Sequence, residues 1–146
     1  MASQFEQRVR ADLNDARRSL QKERTLVLAT LLSELKNKEI EVGHELTDDE
    51  CLGVVSKAVK QRKDAVAQFR AGAREDLVAH EEGQIAILQD YLPAQLTAAD
   101  VRAMVQEVVS AGANNIGAVM KQLSPRIKGR FDGAEANRIV REVLGA

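Results

Sequence analysis

Several things are scarce in this 146-residue chain, and each scarcity excludes something. There is no tryptophan, and the aromatic residues are Phe5, Phe69, Tyr91 and Phe131. A platform that stacks nucleobases needs clustered aromatic faces, so recognition of single-stranded RNA by stacking is excluded. There is one cysteine, Cys51, which rules out an intramolecular disulfide and any multi-cysteine zinc site and points to a reducing compartment. The densest apolar run, Leu26 to Leu32, falls far short of the roughly 20 residues that cross a bilayer, so no membrane association is expected. The N-terminal residues lack the apolar stretch of a signal peptide, and a cytoplasmic location is the simplest expectation. Net charge is −1, from 21 basic and 22 acidic side chains, which speaks against a polycation that coats nucleic acid.

What the chain does contain is helical periodicity. Phe5, Val9, Leu13, Ala16 and Leu20 step by three and four, as one face of a helix does. Leu28, Leu31, Leu35 and Val42 mark a second helix, and Gly43 ends it. Thr47-Asp48-Asp49-Glu50 reads as a capping box that opens a third helix, with Leu52, Val55, Val59, Val66 and Phe69 facing inward. Arg62 is the one charge in that seam, and its head is expected in water. Asp76 is the expected cap of a fourth helix, which carries Leu77, Ile85, Leu88 and Leu92 and ends before Pro93.

Three shorter helices follow. Thr97 and Asp100 cap the first, which turns Val101, Met104, Val105 and Val108 inward. Asn114 or Asn115 caps the second, with Ile116, Val119, Met120 and Leu123. Pro125 is expected to start a separate turn that ends at Gly129. Asp132 caps the last, with Ile139, Val140, Val143 and Leu144. The expectation is an all-α protein. An N-terminal four-helix domain of long helices, residues 1–92, precedes a small three-helix tail domain, residues 93–146.

No catalytic signature is present. The chain has no Gly-x-Ser-x-Gly, no phosphate-binding glycine loop and no His-Glu-x-x-His. His44 and His80 read as solvent-exposed, and Cys51 as a small buried hydrophobe. The acids at 48–50 are explained by capping and those at 81–82 by an exposed helical turn. No metal, cofactor or small-molecule substrate is therefore expected.

The charge distribution says more than its sum. Residues 25–56 hold two basic and seven acidic side chains, and residues 75–100 hold six acids and no Lys or Arg. Residues 57–74 carry Lys57, Lys60, Arg62, Lys63, Arg70 and Arg74 against Asp64 alone. This block is either a solvated bundle face or a surface for a partner or an RNA. Residues 115–130 carry Lys121, Arg126, Lys128 and Arg130 and no acid. Lys128-Gly129-Arg130 reads as a loop in which cations and backbone amides meet phosphates, next to the positive end of the helix capped by Asp132.

A family pattern runs through these segments. Asn115-Ile-Gly-Ala-Val-Met120, Pro125-Arg-Ile-Lys-Gly-Arg-Phe-Asp-Gly133 and Val140 to Leu144 resemble the closing motif of the GatB/YqeY family. Upstream, Lys60-Gln-Arg-Lys-Asp64, Arg74-Glu-Asp-Leu77 and Tyr91-Leu-Pro-Ala-Gln-Leu96 match in the same order, so the resemblance covers nearly the whole chain. Two positions depart from it: Ile116 where methionine is common, and Phe131 where a small residue is common.

The resemblance implies a helical domain with a three-helix tail, the pair that ends the B subunit of tRNA-dependent amidotransferases, where the tail grips tRNA. It implies a non-catalytic tRNA-binding or amidotransferase-related accessory protein. Lys121, Arg126, Lys128 and Arg130 would contact the RNA backbone, with Gly129 and Gly133 allowing close approach. One alternative is a module that docks to an aminoacyl-tRNA synthetase or an amidotransferase subunit. A remote alternative is a carbon–nitrogen ligase with glutamine as amido donor, for which no catalytic residue is recognised.

Overall fold

The computed structural model describes residues 3–145. Seven helices account for most of them: α1 (Gln4–Arg18), α2 (Lys22–Val42), α3 (Asp48–Ala71), α4 (Glu75–Gln89), α5 (Ala98–Ser110), α6 (Ile116–Ile127) and α7 (Gly133–Leu144). No strand occurs among the described residues. The helices group into two compact units that divide between Leu92 and Pro93.

In the first unit α1 pairs with α2 and α3 with α4, and α2 also touches both α3 and α4. The core is aliphatic: Val9 and Leu13 from α1, Val27, Leu28, Leu31 and Leu35 from α2, Val55 and Val59 from α3, and Val78, Ile85 and Leu88 from α4. Each such side chain, fully buried, contributes about 1.5–3 kcal/mol. Cys51 is wholly buried in this core, and burial pushes its thiol pKa up. The entries to the helices are chemically specified. Thr47 and Glu50 form the reciprocal capping box of α3, and Ser3 caps α1 through the amide of Glu6. Gly43 ends α2 in the left-handed region, at φ 78°, where a side chain would be strained.

Three sequence expectations fail here for identifiable reasons. Leu20 does not extend the apolar face of α1. It follows the helix end with φ 56°, a backbone turn that aims its side chain outward, and it is 83% exposed. Asp76 does not cap α4. The turn at Gly72 and Ala73 reverses the chain so quickly that the helix begins at Glu75, and Arg74 holds the Asp76 carboxylate instead, at 3.2 Å. That pairing lowers the Asp76 pKa. The Arg62 head is not simply in water. Its Nε donates to Gln84 Oε1 at 3.0 Å and its Nη1 to the Ala58 carbonyl at 3.2 Å. Gln84, itself buried, lies within 3.0 Å of the His80 ring.

The exit from this unit is clamped. Tyr91 is buried, its hydroxyl donates to Asp12, and Arg8 lies over its ring at 4.6 Å. Arg8 also donates to the Asp90 carbonyl at 3.3 Å. The end of α4 is thereby tied to α1.

In the second unit each of the three helices packs on the other two. Val101, Val105, Val108, Val119, Leu123, Ile127, Ala136, Ile139 and Val140 form its core, and Phe131 packs partly buried against them. Asn115 is the residue that caps α6. Pro125 does not start a separate turn; it lies inside α6, which runs on to Ile127. Proline removes one hydrogen bond and crowds the preceding turn, at a cost of about 3 kcal/mol. Burial of Leu123 and Ile127 on either side offsets that cost and carries the helix through.

Candidate nucleic-acid interface

The cations picked out in residues 115–130 are all in the second unit, and the fold uses them differently. Lys121 and Lys128 are exposed. Arg126 reaches across to Glu107 of α5 at 3.7 Å. Arg130 is partly exposed and points back into the fold. Its Nε donates to the Ala94 carbonyl at 2.9 Å and its Nη1 to the Arg126 carbonyl at 3.2 Å. The backbone on either side is held as well. The Arg130 carbonyl accepts from the Leu96 amide at 2.9 Å, and the Gly129 carbonyl accepts from Gln95 Nε2 at 2.9 Å. Gly129 has φ 72°, which a side chain would strain. Arg130 therefore fastens the segment before α5 onto the loop after α6. It also lies close enough to Asp100 to help lower that carboxyl's pKa, an effect led by the Thr97 amide in the α5 capping box.

The loop leads into an open groove of about 570 Å³ along α7 from Gly133 to Arg141. Gly133, Ala134, Asn137, Arg138 and Arg141 line it. Glycine and alanine keep its upper end low, and the two guanidiniums supply charge further along. Gly133 was among the residues expected from sequence, whereas Asn137, Arg138 and Arg141 were not. Their signal was hidden because residues 131–146 also contain Asp132, Glu135 and Glu142, so no basic block stands out. The helical spacing of 134, 137, 138 and 141 could have revealed a common face.

The amino end of α7 works differently from the expected anion cradle. The Asp132 carboxylate accepts from the Glu135 amide at 3.2 Å. Glu135 stands in the same turn, 3.4 Å from Arg138. Two carboxylates at that end offset the helix dipole, and Arg138 and Arg141 are the charged side chains that line the groove.

The other basic block disperses across α3 and α4. Arg70 pairs with Glu82 at 3.0 Å and with Glu75 at 3.8 Å, Arg74 pairs with Asp76, and Arg62 turns to Gln84. Lys57, Lys60 and Lys63 remain exposed along the outer side of α3. The positive run of α3 thus meets the acidic run of α4, and much of the sequence asymmetry cancels within one helix pair. His44 and His80 are both exposed, and no cluster of three or more metal-ligating side chains forms among the described residues. No helix is long and apolar enough to cross a membrane, among the residues described.

Comparison with known proteins places this geometry in a family. The "Yqey-like protein" family model matches residues 6–144. Relatives carry the name "Altered inheritance of mitochondria protein 41, mitochondrial". The protein of that name from Pyrenophora tritici-repentis is 29% identical over 145 residues, which is 95% of this chain and 80% of that protein. Those from Lachancea thermotolerans and Saccharomyces cerevisiae are each 34% identical, over 106 and 85 residues. These two matches span 72% and 58% of this chain, and only about half of either relative, 54% and 46%. With the match running through both helical units and the Lys128–Gly133 loop, the chain belongs to the YqeY-like family.

Proposed function

We propose that this chain is a non-catalytic RNA-binding accessory protein that holds the sugar-phosphate backbone of a folded RNA, tRNA first among them, on its second unit. The observation that carries this reading is the groove on α7, where Arg138 and Arg141 lie beside small residues and lead on from the loop with Lys128. Guanidiniums and ammoniums in an open groove suit phosphate oxygens. The scarcity of aromatics leaves backbone and shape as the means of recognition. Lys121, Lys128, Arg138 and Arg141 are the contact residues in this reading. Arg126 and Arg130 position the loop, with Gly129 and Gly133 setting its path.

Four phosphate contacts give a log–log salt slope of about −3 to −4 and about 10²-fold weaker binding between 50 and 200 mM salt. The test is filter binding of bulk tRNA at low salt. The double variant Arg138→Glu, Arg141→Glu should bind at least tenfold more weakly at unchanged helicity, and Lys128→Glu should add to the loss. Equal binding by wild type and variants refutes the assignment.

The exposed α3 lysines, Lys57, Lys60 and Lys63, support a second reading, docking to an aminoacyl-tRNA synthetase or amidotransferase subunit. Recovery of such a subunit that survives nuclease and is lost on charge reversal of those lysines favours it. The cytoplasmic location expected from the sequence stands against relatives named mitochondrial, and cell fractionation that compares cytosol with mitochondria tests it.

A further inference from the structure

The outward face of α2 carries a feature that RNA binding does not use. Leu26, Thr30, Ser33, Asn37 and Ile40 are all exposed and are spaced four, three, four and three residues apart. That is a heptad seam. It runs about 21 Å along the helix without a charge, in a protein whose residues are 29% charged. Its two ends are large and apolar: Leu26 is 60% exposed and Ile40 is 79% exposed. The opposite face of the same helix sends Val27, Leu28, Leu31 and Leu35 into the core. The helix is therefore patterned on both sides, and among the described residues the outer side is exposed.

The edges of the seam indicate what covers it. At 100° per residue, Glu23, Glu34 and Glu41 lie along one edge, and Lys36 along the other. Two copies packed antiparallel would set acidic edge against acidic edge. Two copies packed parallel set the acidic edge of each against the basic edge of the other. In heptad terms Leu26, Ser33 and Ile40 then occupy one layer type and Thr30 and Asn37 the other. Lys36 of one copy faces Glu41 of its twin, the pairing that sets orientation in parallel coiled coils. Lys36 is held on its edge by the buried Glu6, 3.3 Å away. An asparagine in that second layer is the residue that fixes register and favours two strands.

We infer that α2 is a self-association surface and that two copies of this chain pair through it in parallel, about a two-fold axis along the helix. A single three-to-four-turn seam buries less than the about 800 Å² per partner of a standard interface, so the dimer is weak and concentration-dependent.

Sedimentation equilibrium of the full chain tests this. The weight-average mass should climb from 16.0 kDa towards twice that value between about 10 μM and 1 mM protein. The variant Leu26→Glu, Ile40→Glu changes only exposed positions, so it should keep its helicity while its association falls at least tenfold. Orientation is read from single substitutions to cysteine under mild oxidation, with the native Cys51 buried in the core. In the parallel pair both Ser33→Cys and Asn37→Cys form disulfide-linked dimers. A monomer at every concentration overturns the inference. So does crosslinking of Ser33→Cys without Asn37→Cys, which is the antiparallel result. RNA-free protein is used throughout, so the outcome is independent of the RNA reading.

Discussion

Replacing Arg130 by alanine should weaken the second unit more than it weakens RNA binding. The guanidinium makes two charge-assisted bonds to backbone carbonyls, at 2.9 and 3.2 Å. Such bonds are worth about 1.5–3 kcal/mol each when shielded. Arg130 is partly exposed, and water takes over part of what is lost, so about 2 kcal/mol in total is the working figure. A helical unit of this size commands only about 3–5 kcal/mol. Its folding equilibrium should fall about 30-fold, and its Tm by about 8–16 °C. Hydrogen exchange followed by mass spectrometry reads α5–α7 separately from α1–α4, so the loss can be assigned to its unit. Arg130→Lys should not restore it, because an ammonium cannot present the planar fork that reaches both carbonyls. The reasoning is refuted if exchange in α5–α7 is unchanged while tRNA affinity, measured where both proteins are folded, drops tenfold or more. Arg130 would then be acting on the RNA rather than on the loop.

Two further predictions follow from the cores. Burial, then the bond to Asp12, raises the Tyr91 pKa. A raised acid keeps its stabilisation below the unfolded value near 10 and loses it as the pH climbs beyond that. Tyr91→Phe should cost about 1.5–2 kcal/mol at neutral pH, and urea melts should show its gap to wild type closing in alkali; a constant gap from pH 7 to 11 contradicts the assignment. Leu123, wholly buried where α6 meets its neighbours, should cost about 2–5 kcal/mol on truncation to alanine. That equals the whole stability of the unit, so circular dichroism should lose the signal of α5–α7 and keep that of α1–α4.

The seven helices were legible because each carries its own apolar period and most carry a local start or stop signal. Thr47 with Glu50, Thr97 with Asp100, Asn115 and Asp132 all act where their spacing indicated. Leu20, Asp76 and Pro125 were misread for a common reason. Each looks decisive locally, but a left-handed turn, an abrupt chain reversal and the burial of flanking residues respectively overrule it.

Composition alone sets the net charge of −1, and amino-acid order alone sets the four blocks of alternating sign. Which cations face outward was decided only by tertiary packing. The block on α3 is partly neutralised by acids on α4, Arg126 and Arg130 are drawn into loop and helix contacts, and Arg138 and Arg141 come to line a groove although no basic run marks them. The physical reason is that a helix brings residues three and four apart onto one face and packing brings distant helices together. Charge pairing in the folded chain therefore follows distance in space, and neither the sum nor the sequence order contains it.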